Sequence, residues 1–138
     1  MKSKDFIALC KEKRDEHEEQ KEVVRYLEAK KILFYAVPNG GKRHIKTAVN
    51  LKEEGVKAGV PDLCICEPNK YYHGLYIEMK QRTKTLKSGK KSYSKIKVSD
   101  TQKVWHQELR HKNYECVVAY GADEAINVID EYMENKIC

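Results

Sequence analysis

The stretch AGVPDLCICEPNKYYHGLYIEMKQ, residues 58–81, decides the fold and raises the question of function. Its two apolar runs, GVPDLCIC and GLYIEMK, are typical of neighbouring strands, and the loop EPNKYYH between them contains a Pro-Asn turn pair. Each run nevertheless carries charged residues where a buried strand should have none. Because side chains alternate across a strand, Tyr76, Glu78 and Lys80 are predicted to share one face, with the apolar residues between them on the other.

Asp62 is expected to lie at the start of the first of these strands. It follows Pro61, whose fixed φ and missing N–H suit that position. The carboxylates of Asp62 and Glu78 and the ammonium of Lys80 can therefore converge at one end of the strand pair. An isolated E-x-K triplet is more often a salt bridge at the margin of a sheet. The full arrangement instead suits a hard divalent cation, which takes oxygen ligands such as Asp62, Glu78 and the backbone carbonyl of Met79.

Length and composition restrict the class of protein. A chain of 138 residues fits one domain, 1–138, with enough buried surface for a core. The five cysteines are odd in number and lack CxxC spacing, which argues against a disulfide framework or a zinc knuckle and favours a reducing compartment. No window approaches the ~18 apolar residues that a membrane span needs. A soluble, cytoplasmic protein without membrane contacts is predicted.

The net charge of +6 is concentrated in one segment. Eight of the 27 Lys and Arg lie in residues 80–97, KQRTKTLKSGKKSYSKIK, which contain no acid, so the rest of the chain carries 19 basic against 21 acidic residues. The segment is predicted to be a mobile basic loop over about 81–98, and it is also a candidate surface for phosphates. The two interpretations are compatible, because mobile basic loops often order on nucleic acid. The candidate DNA contacts are Arg82, Lys84, Lys90 and Lys91.

The remaining hydrophobic pattern predicts the element order α-β-α-β-β-α-β-α. The predicted elements lie at about 15–31 (helix), 32–37 (strand), 43–54 (helix), 59–66 and 74–80 (strands), 99–113 (helix), 115–121 (strand) and 122–135 (helix). Residues 2–13 form either a preceding helix or an extension of the first one. This order favours an α/β fold with one mixed sheet covered by helices.

Taken together, these segments resemble a known nuclease family. PD followed by EMK resembles the PD-(D/E)xK nuclease signature, with Asp62, Glu78 and Lys80 matching it position by position. Six segments occur in the order and approximate spacing of the VRR-NUC branch, the virus-type replication-repair nuclease domain: EHEEQKEVVRYL, PNGGKR, LKEEGVKAGVPDLCI, GLYIEMK, SDTQKVW and ADEAINVIDEY. The resemblance extends over about residues 15–132. It implies a restriction-endonuclease-like core, with a central mixed four-stranded sheet flanked by helices.

The resemblance also implies a helix carboxylate as a further metal ligand, and Glu16, Glu18 and Glu19 are the candidates. The apolar stripe of this helix is predicted to consist of Val23, Val24 and Leu27. Helical geometry favours Glu16, which falls within about 30° of the centre of the stripe, whereas Glu19 lies nearly a right angle away and Glu18 points outward. The alternative is that Glu16 is a surface glutamate that favours the positive end of the helix.

Two further motifs have a structural and a functional interpretation. Ser99 and Gln102 match a capping box, while the S-x-x-Q of the resembled family implies that Gln102 supports the active site or its water. Both interpretations stay open. The PNGGKR loop is either only a tight turn or a place where glycine lets backbone approach a phosphate closely, and the second is favoured. It adds five candidate DNA contacts: Asn39, Gly40, Gly41, Lys42 and Arg43.

As a function, the resemblance implies a metal-dependent DNA endonuclease that hydrolyses phosphodiester bonds. The implied metal ligands, for Mg²⁺ or its substitute Mn²⁺, are Glu16, Asp62, Glu78 and the Met79 backbone carbonyl. The implied catalytic residues are Asp62, Glu78, Lys80 and Gln102. Stand-alone members of the family imply a homodimer that acts on branched DNA, such as junctions or flaps, in phage or prophage replication, recombination or repair. No organic cofactor is expected, and a phage-encoded protein would work in the host cytoplasm.

Other functional classes fit fewer of the motifs. One alternative is a non-catalytic nucleic-acid-binding module that uses residues 80–97, and another is an interaction protein that merely shares a small α/β layout. A His-metal nuclease is disfavoured, because the five histidines are scattered without HxxH or HNH-like spacing. The basic segment is longer than the usual linker of the resembled family.

Overall fold

The fold was obtained as a computed structural model that describes residues 15–38, 45–92 and 97–137. The helices in these ranges are α1 Glu16–Ala29, α2 Ile45–Glu53, α3 Asp100–His111 and α4 Ala122–Glu134. The strands are β1 Phe34–Ala36, β2 Leu63–Ile65, β3 Leu75–Lys80, β4 Lys84–Thr85, β5 Lys91–Ser92 and β6 Glu115–Tyr120. No helix among the described residues is long and apolar enough to cross a membrane.

The main sheet is mixed and has the strand order β1-β2-β3-β6. β1, β2 and β3 pair antiparallel, with Tyr35 opposite Cys64 and Cys64 opposite Tyr76. β3 and β6 pair parallel, with Lys80 opposite Tyr120. A parallel pair needs a crossover connection, which α3 supplies. A mixed four-stranded sheet flanked by helices confirms the predicted fold class.

One face of the sheet carries the hydrophobic core. Leu75, Ile77 and Met79 of β3 are fully buried and belong to one cluster with Val23 and Leu27 of α1. The contribution of α4 to this cluster consists of Ala122, Ala125, Ile129 and Tyr132. The alternation predicted for GLYIEMK is therefore present, and it directs Glu78 and Lys80 to the opposite face of the sheet.

The buried stripe of α1 differs from the predicted one. It consists of Glu19, Val23 and Leu27, while Val24 is only half-buried. These three residues are four apart and share one side of the helix, so the stripe is rotated by about 45° toward Glu19. The prediction that Glu19 lies nearly a right angle away from the core is therefore wrong. It failed because the stripe was drawn through apolar residues only.

β2 is shorter than its apolar run suggests. Asp62 lies immediately before β2 and not within it. Gly59 lies upstream at φ +88°, and a Cβ there would come within 2.7 Å of Thr101 in the first turn of α3. Such a close approach requires glycine. It brings the chain that leads to Asp62 against the start of α3.

The basic segment contains β structure that the sequence did not predict. Lys84 lies opposite Ser92, and Thr85 lies opposite Lys91, in a two-stranded antiparallel ribbon. The Leu86 N–H donates to the Lys90 carbonyl at 2.8 Å across the turn. The expectation of a loop over 81–98 is therefore corrected for this ribbon, while its mobility stays a prediction.

Candidate active site

The charged residues of the two central strands meet at one end of the strand pair. Glu78 and Lys80 lie on the face opposite the core, only 2% and 3% exposed. The Asp62 carboxylate accepts the Met79 N–H at 2.7 Å. Because the N–H and C=O of a strand residue point to the same neighbour, the Met79 carbonyl also points toward the Asp62 side. The structure thus brings Asp62, Glu78, Lys80 and the Met79 carbonyl together.

The two carboxylate oxygens of Glu78 differ in their hydrogen-bond partners. The Gln102 side-chain amide donates to Glu78 Oε1 at 2.8 Å, and Lys80 Nζ lies 3.7 Å from the same oxygen. Glu78 Oε2 is buried and has no hydrogen-bond partner in the described part of the chain. A buried oxygen without a partner is costly unless a water or a cation meets it.

Burial and negative charge disfavour ionisation of these carboxyls. Burial and the Asp62 charge raise the pKa of Glu78 to about 8, against a smaller opposing effect of Lys80. Burial also raises the pKa of Asp62, against the Met79 N–H, the neighbouring Glu78 carboxyl and the charge of Lys80. Two carboxyls that burial and a like charge both disfavour as anions give this pattern. A cation near them would favour their ionised forms.

Glu16, in the first turn of α1, lies within the electrostatic influence of Asp62 and Lys80. It is half-buried, and its pKa is raised first by burial and then by the charge of Asp62, while Lys80 lowers it. In the described ranges, however, no three His, Cys, Asp or Glu side chains lie close enough to hold a metal ion. The two carboxyls of Asp62 and Glu78, the Met79 carbonyl and the partnerless Glu78 oxygen fit a hard cation. Direct ligation by Glu16 remains a prediction.

Gln102 makes both sets of contacts that the sequence left open, the helix cap and the contact with the candidate active site. The Ser99 hydroxyl accepts the Gln102 N–H at 3.2 Å, and the Gln102 side-chain oxygen accepts the Ser99 N–H at 2.9 Å, so the capping box is complete. The amide nitrogen of the same side chain donates to Glu78. One glutamine therefore caps α3 and orients Glu78.

Comparison with known proteins decides the family. The sequence profile of the VRR-NUC domain matches residues 3–123. This chain belongs to the VRR-NUC family. A solved structure described as a VRR_NUC domain protein superposes with a TM-score of 0.71 and 28% sequence identity, over 89% of this chain and 91% of that chain. The search of curated proteins gave no match.

VRR-NUC membership implies a nuclease of the PD-(D/E)xK type with DNA as its substrate. Asp62, Glu78 and Lys80 occupy the three signature positions, and in this VRR-NUC protein they lie together at the end of β3. Their proximity followed from strand alternation and an antiparallel hairpin, so it was predictable. Their catalytic roles remain predictions.

The residues predicted to contact DNA differ in exposure and in their partners. Lys90 and Lys91 are exposed on the ribbon, and the backbone of Lys84 lies in β4. Arg82 instead forms a two-point ion pair with Glu19, with Nε 3.0 Å and a terminal nitrogen 3.2 Å from the two carboxylate oxygens. The pairing gives Arg82 a structural contact that the sequence did not predict. The five predicted contacts in the PNGGKR loop, residues 39–43, lie outside the described residues.

His106 is a further buried group near the site that the sequence did not single out. It is 4% exposed, and its Nε2 has no partner in the part of the chain described. Burial, and next the positive charges of Arg110 and Lys80, lower its pKa. The i, i+4 spacing from Gln102 was the available signal, because it places both residues on one side of α3.

Proposed function

We propose that this VRR-NUC protein is a metal-dependent endonuclease that hydrolyses phosphodiester bonds in DNA. One observation supports this most strongly: the half-buried carboxyl of Asp62 and the buried carboxyl of Glu78 lie beside the buried ammonium of Lys80, and one Glu78 oxygen has no hydrogen-bond partner among the described residues. Such a group does not serve stability alone, because a buried polar oxygen without a partner is destabilising. Perturbed ionisable groups of this kind cluster at functional sites.

Asp62, Glu78 and the Met79 carbonyl are the proposed ligands of Mg²⁺ or Mn²⁺, with Glu16 as the further carboxylate. When bound, the ion would polarise a water and a phosphate oxygen. The chain holds these ligands in place beforehand. The Met79 N–H fixes Asp62 by one hydrogen bond, and Gln102 fixes one oxygen of Glu78 by another. The second oxygen of Glu78 is left available.

Lys80 is proposed to offset negative charge on the scissile phosphate. Its ammonium is a compact point charge that burial shields from bulk water, and electrostatic stabilisation is strongest in such a site. Contact with Glu78 keeps the ammonium near the carboxylate pair. Gln102 donates to Glu78, so its proposed contribution is to orient that carboxylate.

The exposed lysines of the ribbon are proposed to bind phosphates next to the site. Lys90 and Lys91 supply charge that acts through counterion release, so affinity should fall steeply with salt. The Asn39–Arg43 loop and Lys84 complete this proposed surface. The proposed substrate is branched DNA, and a phage or prophage role in replication, recombination or repair goes with it.

A homodimer is proposed to present two sites to two DNA strands. The exposed helix α2 supports this, since Val49 on it is 50% exposed and Val56 just after it is 38% exposed. A dimer contact through α2 would cover these apolar side chains. Light scattering of the purified protein tests the proposal, and a monomer at micromolar concentration contradicts it.

The decisive experiment measures both cleavage and binding. Wild type, Asp62→Ala and Lys80→Ala are incubated with plasmid, linear duplex and four-way-junction DNA, in Mg²⁺ or in EDTA. We expect nicks only with wild type and Mg²⁺, and DNA shifts with all three proteins. Cleavage by Asp62→Ala at the wild-type rate would refute the assignment.

The Glu78–Lys80 ion pair also favours a second candidate, a binding module without catalysis. In that case the pair would be only a structural salt bridge, and the basic ribbon would carry the function. The same experiment separates the candidates. A binding module shifts DNA in EDTA and in Mg²⁺ but produces no nicks.

A further inference from the structure

Glu19, the second buried carboxylate among the described residues, contacts three parts of the chain. Its side chain is 0% exposed and accepts two hydrogen bonds from Arg82, which follows β3. It also accepts the backbone N–H of Ala122 at 2.6 Å, at the start of α4. The carboxylate therefore connects α1, the end of β3 and the start of α4.

The start of α4 is built to admit Arg82. Gly121 is the N-cap and has no capping side chain of its own, so the carboxylate of Glu19 takes that role from α1. Gly121 has φ +94°, and a Cβ there would lie 3.1 Å from the Cβ of Arg82. Glycine thus allows the Arg82 backbone to lie against the helix start.

This connection lies next to the candidate active site on two chain segments. Glu19 follows Glu16 by three residues on α1, about one helical turn. Arg82 follows Lys80 by two residues, and the Lys80 carbonyl accepts the Gly121 N–H at 3.0 Å. The contact between Glu19 and Arg82 therefore links the helix of Glu16 to the end of the strand of Lys80, in addition to the core packing between α1 and β3.

We propose that Glu19 and Arg82 are positioning residues that hold α1 against the end of β3 and so keep Glu16 near Glu78 and Lys80. This inference rests on the proposed function. Arg82 is suited to the role because its planar guanidinium matches a carboxylate at two points, which a lysine cannot do.

The same contacts leave Arg82 little capacity for phosphate. Two of its nitrogens face Glu19, the third lies 3.9 Å from Asp123, and the side chain is only 23% exposed. A phosphate contact would require breaking a buried ion pair, which is strongly destabilising. The role in DNA binding expected from its basic segment is therefore replaced here by a role in geometry.

The test compares Arg82→Met and Arg82→Lys with Arg25→Met, a matched loss of an exposed arginine on α1. Single-turnover cleavage, the Mg²⁺ concentration at half-maximal rate, Mn²⁺ binding by calorimetry and DNA affinity in EDTA are measured on folded protein. We expect Arg82→Met to lower the rate by about 10- to 100-fold, as a small misplacement of a site does. It should weaken Mn²⁺ binding while DNA affinity stays within about twofold of the Arg25→Met control, since the guanidinium meets protein carboxylates.

Arg82→Lys should recover part of the rate, because it restores the charge without the two-point geometry. Glu19→Gln keeps an acceptor for the Ala122 N–H and provides a milder variant if Arg82→Met does not fold. Its effect on Mn²⁺ binding should have the same sign. Combined with Arg82→Met, it should add little to the loss, because both changes remove one interaction.

Three results would overturn the inference. One is a folded Arg82→Met protein with wild-type rate and wild-type Mn²⁺ affinity, and another is a loss confined to DNA affinity, which would make Arg82 a phosphate contact. The third is reduced melting temperature with unchanged rate and Mn²⁺ binding, which would make the pair purely structural. A wild-type protein that never cleaves DNA would instead reject the proposed function, and positioning for catalysis with it.

Discussion

Glu19 and Glu78 are the two buried glutamates of the described chain, and their surroundings differ. Both have at most 2% of their surface exposed. Glu19 meets a guanidinium at two points and a helix N–H. Glu78 has one oxygen engaged and the other without a hydrogen-bond partner among the described residues. Burial alone therefore does not distinguish the two glutamates, whereas the hydrogen-bond partners of their oxygens do.

The largest expected effect is the loss of cleavage in Glu78→Gln. The amide keeps the size of the side chain but removes the charge that a cation needs, so we expect a fall of at least about 100-fold in rate. At pH 8 stability should stay the same or rise, because a charge that burial disfavours is removed while the Asp62 carboxylate remains near Lys80. Cleavage assays and urea denaturation measure the two effects, with the exposed Glu131→Gln as control. A large loss of stability would show that Glu78 mainly supports the fold.

Glu19→Ala should give the opposite result. It leaves Arg82 and the Ala122 N–H without their acceptor, so we expect the free energy of unfolding to fall by about 3 kcal/mol. Urea denaturation with Glu28→Ala, an exposed position on the same helix, provides the measurement and its control. A loss equal to that of the control would remove the contrast between the two glutamates.

The pH dependence of stability tests how strongly the folded protein disfavours ionisation of the Glu78 carboxyl. Its pKa is about 8 in the folded protein against an ordinary value of 4.5, so the folded state holds a proton that the unfolded chain releases. Stability should therefore fall as pH rises from about 4.5 to 8. The lowered pKa of buried His106 acts in the opposite direction, since it removes stability as pH falls through about 6.5.

The variant Glu78→Gln isolates the contribution of Glu78. Melting curves are recorded in EDTA at pH 6 and pH 8. Between these two pH values the melting temperature of wild type should fall by several degrees more than that of the variant, which corresponds to a difference of about 1 to 2 kcal/mol in the free energy of unfolding. Mg²⁺ at pH 8 should restore the loss in wild type only. Identical pH profiles for the two proteins would show that Glu78 is compensated without a cation.

The smallest expected effects concern Gln102. Ser99→Ala removes only the cap of α3, whereas Gln102→Ala removes the cap and the hydrogen bond to Glu78. Both should cost about 1 kcal/mol of stability. Only Gln102→Ala should slow cleavage, by about 10-fold, since loss of one supporting hydrogen bond is worth about that much. Equal cleavage rates in the two variants would reduce Gln102 to a helix cap.

The sequence predicted those parts of the site that depend on local rules. Strand alternation placed Glu78 and Lys80 on one face, and an antiparallel hairpin brought Asp62 close to them. The capping-box pattern of Ser99 and Gln102 predicted the start of a helix. The same rules gave the order of the helices and the main strands, and with them the mixed sheet.

Contacts between distant segments could not be predicted in the same way. Buried Glu19 pairs with Arg82, which lies 63 positions further along the chain. Helix and strand periodicity relate only residues that are close in sequence, so they could not predict this pair. The ribbon was missed because its lysines, serines and threonines carry no alternating apolar pattern. The contact from Gln102 to Glu78 spans 24 positions, so the sequence alone left the cap and the active-site role open.

The double use of Gln102 has a consequence for protein engineering. The Gln102 side chain joins Glu78 to the start of α3, and Arg82 binds Glu19 on the other side of the ribbon in the chain. Residues 84–92 form a closed hairpin between Arg82 and Gln102. A hairpin of another length or charge can therefore be grafted there without replacing Arg82 or Gln102.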